Sequence, residues 1–363
     1  MKNILRITGV LLALAGSAPA LAQNAEDEAH AKGVAAVKLV DEGHFEEAVK
    51  LFQEARVLDP QKSVYPYELS YAYYQQKQYT KAQELLEPLT KRPDADEHTF
   101  ELLGNVYDNT GNSGKALATY EAGLHKFPNS GRLHLETGIV YMGKKEYNKA
   151  LSYYESGIKV DPGFASNYYW AAKLFCSSSE EVWGMIYGEL FMNLERNSPR
   201  TAEISKLLYD TYKSEIKFQG KDTVAVSFSK NSVLSVDNLK KGKDLKLPFG
   251  GLIYEPILMM SIIGETAIDA NSLNRIRTNF LTNYYRLPAS KKTPNVLFEY
   301  QQKIEQLGHL EAYNHWLLMM GDEQVFTEWE KANPGKWSAF VTWFKDNSIT
   351  LDSTHRFYRA QYD

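Results

Sequence analysis

Alanine recurs at Ala48, Ala82, Ala116 and Ala150, each 34 residues after the one before. Twelve places ahead of each stands a small residue, Ala36, Ser70, Gly104 and Gly138, and three places after each small residue stands a large one, Leu39, Tyr73, Tyr107 and Tyr141. Four places beyond each alanine comes another large side chain, Phe52, Leu86, Tyr120 and Tyr154. Pro60, Pro93, Pro128 and Pro162 close the units, with only Pro93 out of phase, by one residue. A fixed period of this length admits few folds. Each unit is too short to bury its apolar face alone, so the units must stack as helix-turn-helix pairs. In such a stack the small residues let paired helices approach, the large ones fill the space between pairs, and the proline stops the second helix.

These residues resemble the tetratricopeptide repeat (TPR) family. Its scheme places Gly or Ala at the eighth position, Tyr at the eleventh, Ala at the twentieth, Phe or Tyr at the twenty-fourth and Pro at the thirty-second. The resemblance covers residues 29–199, with repeats starting near residues 29, 63, 97, 131 and 165. It implies an all-α fold, a right-handed TPR-type helical solenoid of about five repeats, and a role in binding other proteins whose identity the fold does not carry.

At the start of the chain, Lys2 and Arg6 precede an apolar run over residues 7–18, and Pro19-Ala20-Leu21-Ala22 supplies a small-residue cleavage site. Charge, length and exit predict a signal peptide over residues 1–22 cut after Ala22, because the run is too short to span a bilayer. No cysteine follows the run, so the sequence predicts export to the periplasm without a lipid anchor and a mature chain that starts at Gln23 with no transmembrane span. Loss of Lys2 and Arg6 moves the formal charge from −4 by two units to −6. A weakly acidic chain of mixed charges carries no basic footprint for nucleic acid. The single cysteine, Cys176, allows no internal disulfide and reads as a small apolar residue packed between helices.

Residues 23–28 are polar and expected to fray. The first repeat then turns at Asp41-Glu42-Gly43, and in the second, Pro88 lies late in the closing helix, which predicts a kinked or shortened helix. The fifth repeat is degenerate: Ala172, Phe175 and Gly184 hold their places, but Gly188 replaces the aromatic and the closing proline comes late, at Pro199. Its helices are apolar on more than one face, which predicts docking onto the C-terminal region.

Residues 200–363 read as an irregular helical region with a non-helical insertion at 219–248. Thr201 is read as the N-cap of a helix that reaches about Phe218 through Glu203, Ile204, Leu207, Leu208 and Tyr212. Alternation at Val224, Val226 and Phe228 predicts one short strand or an extended loop, and Lys240-Lys241-Gly242-Lys243 a solvated loop. Residues 253–263, with Pro256 in the first turn, are apolar and expected to be buried. Leu273, Ile276, Phe280, Leu281 and Tyr284 give an amphipathic helix over 269–286, Pro294 opens a helix to about Leu307, and helices follow over 309–320, 322–332 and 334–346.

No histidine pair has ligand spacing. His309 and His315 are six apart and point in different directions from one helix, and there is no nucleophile elbow, phosphate loop or dinucleotide fingerprint. The expectation is a non-enzyme without cofactor or metal. A second reading is sugar binding through Tyr313, Trp316, Trp329, Trp337 and Trp343, whose rings would stack on glycan. Against it, Trp337, Phe340, Val341 and Phe344 share one helical face and read as core, which leaves Trp343 as the ring off that face.

The family resemblance also implies where a partner lies. In TPR arrays that hold peptides, the second, fifth, ninth, twelfth and thirteenth residues of each first helix line the concave face. Here these are Tyr67, Tyr71, Tyr74 and Gln75 in the second repeat, and His98, Glu101, Asn105, Asp108 and Asn109 in the third. The fourth repeat adds Arg132, Leu135, Ile139 and Met142, and the fifth Tyr169 and Lys173. The first offers only His30, Gly33, Val37, Val40 and Asp41, without the Lys and Asn of the clamp by which TPR co-chaperones grip an acidic chain end. Aromatic area beside carboxylates suits an extended or helical segment with apolar anchors and a Lys or Arg. The expected function is therefore an exported scaffold or adaptor for another envelope protein. Tyr67, Tyr71, Glu101 and Asp108 are its leading contacts, and self-association is left open.

Overall fold

A computed structural model describes residues 17–219, 223–230 and 248–362. The charged start of the expected signal segment and the lysine-rich loop at 240–243 lie outside the described residues. The fold is all-α and of the TPR type, and the chain divides into two compact units, Met1–Pro128 and Asn129–Asp363.

The first unit holds three helix pairs: α1 (Ser17–Asp41) with α2 (Phe45–Leu58), α3 (Val64–Gln75) with α4 (Tyr79–Leu89), and α5 (Glu97–Asn109) with α6 (Ser113–Lys126). Residues 23–28, expected to fray, continue α1 as helix. Ala36, Ala48, Ser70, Ala82 and Ala116 have no exposed surface, as the repeat pattern requires of residues where paired helices touch. Gly104 shows why: a Cβ there would lie 2.5 Å from Cζ of Tyr120, whose ring is 1% exposed. Phe52, Leu86 and Tyr120 fill the space behind these contacts, each contributing roughly 1.5–3 kcal/mol by burial. Hydrogen bonds between adjacent repeats tie the pairs together, from Gln53 Nε2 to Tyr73 OH at 3.0 Å and from Tyr107 OH to Glu87 Oε1 at 2.6 Å. Burial, together with that carboxylate, pushes the Tyr107 phenol up to about 12. Lys81 and Lys115 each lie 5.1 Å over the ring of the same repeat's tyrosine, Tyr73 and Tyr107. The expected shortening at Pro88 is present, because α4 has 11 residues against 14 in α2 and α6 and ends one residue past the proline.

Every turn between the two helices of the first four repeats is built alike. Gly43, Lys77, Gly111 and Lys145 take φ of 80°, 57°, 78° and 58°. Each donates its N–H to the carbonyl three residues back, and the following residue donates to the carbonyl five back, as His44 does to Leu39 at 2.7 Å and Glu146 to Tyr141 at 2.9 Å. These paired bonds satisfy the last carbonyls of the first helix and reverse the chain within three residues.

The second unit begins with α7 (Gly131–Gly143) and α8 (Tyr147–Val160), then α9 (Ala165–Phe175) and α10 (Glu181–Leu194). Gly138 meets the Tyr154 ring as Gly104 meets Tyr120, with a Cβ 2.7 Å from Cδ1. The fifth repeat does dock onto the C-terminal region: all of α10 from Glu181 to Asn193 is buried, and one apolar core runs from Ala150 and Tyr154 through Trp183 and Phe191 to Phe280, Trp316 and Phe357.

The next helix, α11 (Pro199–Glu215), corrects three sequence readings. Ser198 is the N-cap and Thr201 its capping-box partner, each side chain accepting the other's backbone N–H at 3.2 Å. Pro199 therefore opens this helix, where a missing N–H costs nothing, rather than closing a repeat. The helix stops at Glu215 because residues 216–218 leave it as strand β1 (Ile216–Phe218), which supplies the antiparallel partner for β2 (Val224–Val226), with Lys217 opposite Ala225. Alternation at 224–228 marked the strand, and only the fold supplied its pair.

A π-helical turn, Gly250–Tyr254, leads into α12 (Glu255–Ser261). Burial holds only for the inner face of residues 253–263. Ile257, Leu258 and Ile262 are 2% exposed, but Met260 is 42% and Ile263 79% exposed, because this short helix packs on α13 (Ala270–Arg286) with one side only. All five apolar residues expected to be buried on α13 are buried, and Asp269 caps it. Then come α14 (Val296–Gln306), opened by Asn295 rather than Pro294, α15 (Leu310–Leu318), α16 (Glu323–Ala332) and α17 (Pro334–Asp346). On α17 Phe340 and Phe344 are core as expected, but Val341 is 45% exposed. The helix packs on α15 and α16 through a stripe that leaves Val341 at its edge.

Candidate functional site

On α3 and α5 of the first unit the sequence-derived groove residues share one face. Tyr67, Tyr71 and Tyr74 are all half-buried, each with part of its ring open to solvent, as are His98, Glu101, Asn105 and Asp108, while Gln75 and Asn109 are exposed. Tyr74 OH accepts from Asn109 Nδ2 at 3.0 Å. Two of the polar positions are committed inward. Asn105 Oδ1 accepts the Tyr120 hydroxyl at 2.5 Å, and Asp108 Oδ1 accepts Ser113 Oγ at 2.8 Å, so both brace the repeat as well as face the groove. Glu101 lies 3.3 Å from His98 Nδ1. On α1, Gly33 is buried against Tyr65, and His30, Val37 and Asp41 are exposed.

Where α3 and α5 begin, this face opens into a cleft of roughly 550 Å³ lined by Val64, Tyr67 and Thr99 with Glu68, Asp94 and Asp96. Val64 is 47% exposed there. Burial, and then the like charges of Asp41 and Asp96, raise the Glu68 carboxyl above its ordinary range. Burial and the Glu101 carboxylate likewise raise the Tyr67 phenol. Glu68, Asp94 and Asp96 were absent from the sequence-derived set because they stand beside the family's groove positions rather than on them.

In the second unit two of the corresponding positions are closed and the others half-buried. Leu135 and Tyr169 are 7% exposed, and Ile139 and Met142 pack against the core. Helix α11 covers the fifth repeat. Glu203 accepts Tyr169 OH at 2.6 Å and Lys173 Nζ at 2.6 Å, while the Arg200 guanidinium lies 5.1 Å over the Tyr169 ring. Arg132 stacks 5.4 Å over Phe164. Tyr169 is therefore braced by the chain's own next helix, and Leu135 lies in the core of this unit.

The sequence reading also missed a polar centre in this unit. The Arg277 guanidinium reaches Glu189 Oε1 at 2.7 Å, Asn314 Oδ1 at 2.8 Å and Tyr212 OH at 3.1 Å, and Glu189 Oε1 also accepts from Gln301 at 2.5 Å and Tyr313 at 2.8 Å. Burial alone would lower the Arg277 pKa, but the adjoining Glu189 carboxylate raises it and keeps the side chain charged. A cavity of about 20 Å³, the size of one water, adjoins the pair. Every charged or polar group here is spent on a neighbour, which describes a structural hub.

The remaining candidates are packing features. Cys176 lies against Gly184, and burial pushes its thiol up to about 12, the opposite of a reactive cysteine. Tyr313, Trp316 and Trp329 are buried; Trp337 and Trp343 are half-buried, Trp343 stacked on Tyr300 with ring centroids 6.4 Å apart. Tyr313, Trp316 and Trp329 are therefore closed to a glycan, while Trp337 and Trp343 keep part of their surface open. Among the described residues no group of three or more His, Cys, Asp or Glu side chains is placed to hold a metal ion, and no helix is long and apolar enough to cross a membrane.

The tetratricopeptide repeat family matches this chain twice, over residues 39–105 and 101–163. Similar solved structures include a thermophilic TPR protein of Thermus thermophilus, at 18% identity over 50% of this chain and 98% of that one with a TM-score of 0.42. PilF of Pseudomonas aeruginosa is similar at 16% identity over 53% of this chain and 86% of that one with a TM-score of 0.46. No curated protein matches the chain. The matched stretch holds the helix pairs, the small-residue contacts and the left-handed turns of the repeats, so residues 39–163 of this chain match tetratricopeptide repeats.

Proposed function

We infer that the chain is an exported, non-catalytic scaffold that holds a protein segment on the concave face of its first unit. The observation that carries this reading is the row of part-exposed rings Tyr67, Tyr71 and Tyr74 running into the acidic cleft at Glu68, Asp94 and Asp96. Rigid rings supply contact area at low entropic cost. A Lys or Arg entering the cleft would offset the burial and the like charges that raise Glu68, so the fitting partner is an extended or helical segment with apolar anchors and a cation. Export rests on Lys2, Arg6, the apolar run and the Ala20–Ala22 exit, and the partner is accordingly another envelope protein.

The test is affinity capture from the native envelope with the wild-type chain and with Tyr67→Ala combined with Glu68→Gln. At unchanged melting temperature, recovery of the specific partner should fall at least about tenfold, the loss of one anchor and one charge pair. Equal recovery would move binding off this face. Amino-terminal sequencing of the purified chain should read from Gln23, and an intact Met1 would defeat the export reading.

A further inference from the structure

After α17 the chain runs without a long helix from Asn347 to Tyr362 and packs against α8 and α10, where it completes the apolar core. It grips by side chains. Phe357, fully buried, sets its ring edge-on to Tyr187 at 5.6 Å and 6.1 Å from Trp183. Tyr362 packs 5.1 Å from Phe249 and donates its hydroxyl to the Pro294 carbonyl at 2.6 Å. Between these anchors the Arg359 guanidinium holds Glu155 with two bonds, Nε to Oε1 at 3.0 Å and a terminal nitrogen to Oε2 at 2.8 Å. The Arg359 N–H donates to Tyr187 OH at 2.9 Å. Backbone bonds close within the segment, from Asp352 to His355, Gln361 to Tyr358 and Tyr362 to Arg359. An open cleft of about 380 Å³ continues along α8 beside Tyr358 and Arg359, lined by Leu151, Glu155 and Lys159.

Two aromatic anchors flanking a bidentate arginine, on a segment outside any long helix or strand, are the features of a docked peptide. We propose that the face of α8 and α10 beneath this segment is a second protein-binding site, whose resident ligand is the chain's own segment. Its partner is a polypeptide with the same pattern, Phe, Arg two places on and an aromatic three places further, that takes up the same 3-10 turn at the arginine. The tether keeps the resident segment at a high effective concentration, so an outside segment enters only when the resident one opens. Glu155 sets the demand for arginine, and the ring pocket of Trp183, Tyr187 and Phe249 sets the demand for the aromatics.

The probe is a fluorescent peptide of residues 348–362, titrated onto the full chain. Phe357→Ala loosens the resident segment, so the variant should take the peptide at least about tenfold more tightly than wild type. Adding Glu155→Gln should reverse most of that gain through loss of the bidentate pair. Arg359→Ala, a milder change at a part-exposed residue, should act as Phe357→Ala does. A folded Phe357→Ala or Arg359→Ala chain that binds no more peptide than wild type overturns the proposal. Hydrogen exchange on the unmodified chain gives a test that needs no variant. The amides of Arg359 and Tyr362 should exchange well before those of α10, and exchange only together with α10 would mean that the segment never opens by itself and end the proposal.

Discussion

Lys145 holds in the fourth repeat the left-handed backbone that Gly111 holds in the third, at φ of 58° against 78°. A side chain in this region costs about 1–2 kcal/mol, part of which glycine returns through its greater freedom when unfolded. Lys145 is exposed and its turn bonds are backbone ones, so Lys145→Gly removes the strain and little else. The variant should gain roughly 0.5–1 kcal/mol, read as a higher urea midpoint at an unchanged slope. A lower midpoint would show that the lysine side chain holds the turn.

The contact of Gly104 with Tyr120 leaves no room for a Cβ. Gly104→Leu should lose about 1–3 kcal/mol or more, and even Gly104→Ala should lower the melting temperature despite alanine's better helix propensity. Because the obstacle is one ring, Tyr120→Leu should recover part of the loss in a double-mutant cycle. An unshifted melting temperature in Gly104→Leu would mean that the repeat is phased differently.

Glu189 and Arg277 have side chains 5% and 9% exposed. Removing one partner strands the other charge in the core, so Glu189→Leu or Arg277→Met should each cost about 3–5 kcal/mol. The double variant should cost clearly less than the sum, because the attraction and the desolvation disappear together. Additive losses, measured by chemical denaturation, would argue that the two charges act separately through Gln301 and Asn314.

His315 is 2% exposed, stacked 4.4 Å from the Trp329 ring centroid, and burial lowers its pKa from 6.5 to about 4. Above the unfolded value both states are neutral. As the pH falls from 6.5 towards 4 the unfolded chain takes the proton first, so stability drops across that window and levels off below it. The loss is on the order of 3 kcal/mol for this group, and His134, also lowered by burial, adds in the same direction. His315→Gln should flatten the stability profile between these pH values relative to the parent chain, and an unchanged slope would assign the acid sensitivity to other groups.

The candidate groove was legible only in part. Tyr67, Tyr71 and Tyr74 recur at helical spacing and do share an open face, but the carboxylates that shape the cleft beside them, Glu68, Asp94 and Asp96, fall outside the family's groove positions. Tyr169 carries the same positional signal as Tyr67, yet it is closed by Glu203 from a helix that the repeat pattern does not describe.

By itself the sequence determined everything that one repeat, or two adjacent ones, can enforce. The small residues that meet Tyr120 and Tyr154, the buried alanines and the shortened helix at Pro88 all follow from contacts between neighbouring helices, which a fixed period repeats. Lys81 and Lys115 over Tyr73 and Tyr107, and the lysines in the left-handed turns, were written in the same register and went unread. Only the tertiary structure decided the rest. Glu189 finds Arg277 88 residues away, Phe218 pairs with Val224 instead of extending α11, and Arg359 crosses 204 residues to reach Glu155. These contacts depend on how unequal helices pack into one core, and side-chain periodicity records the spacing within a helix but not the partner it will meet.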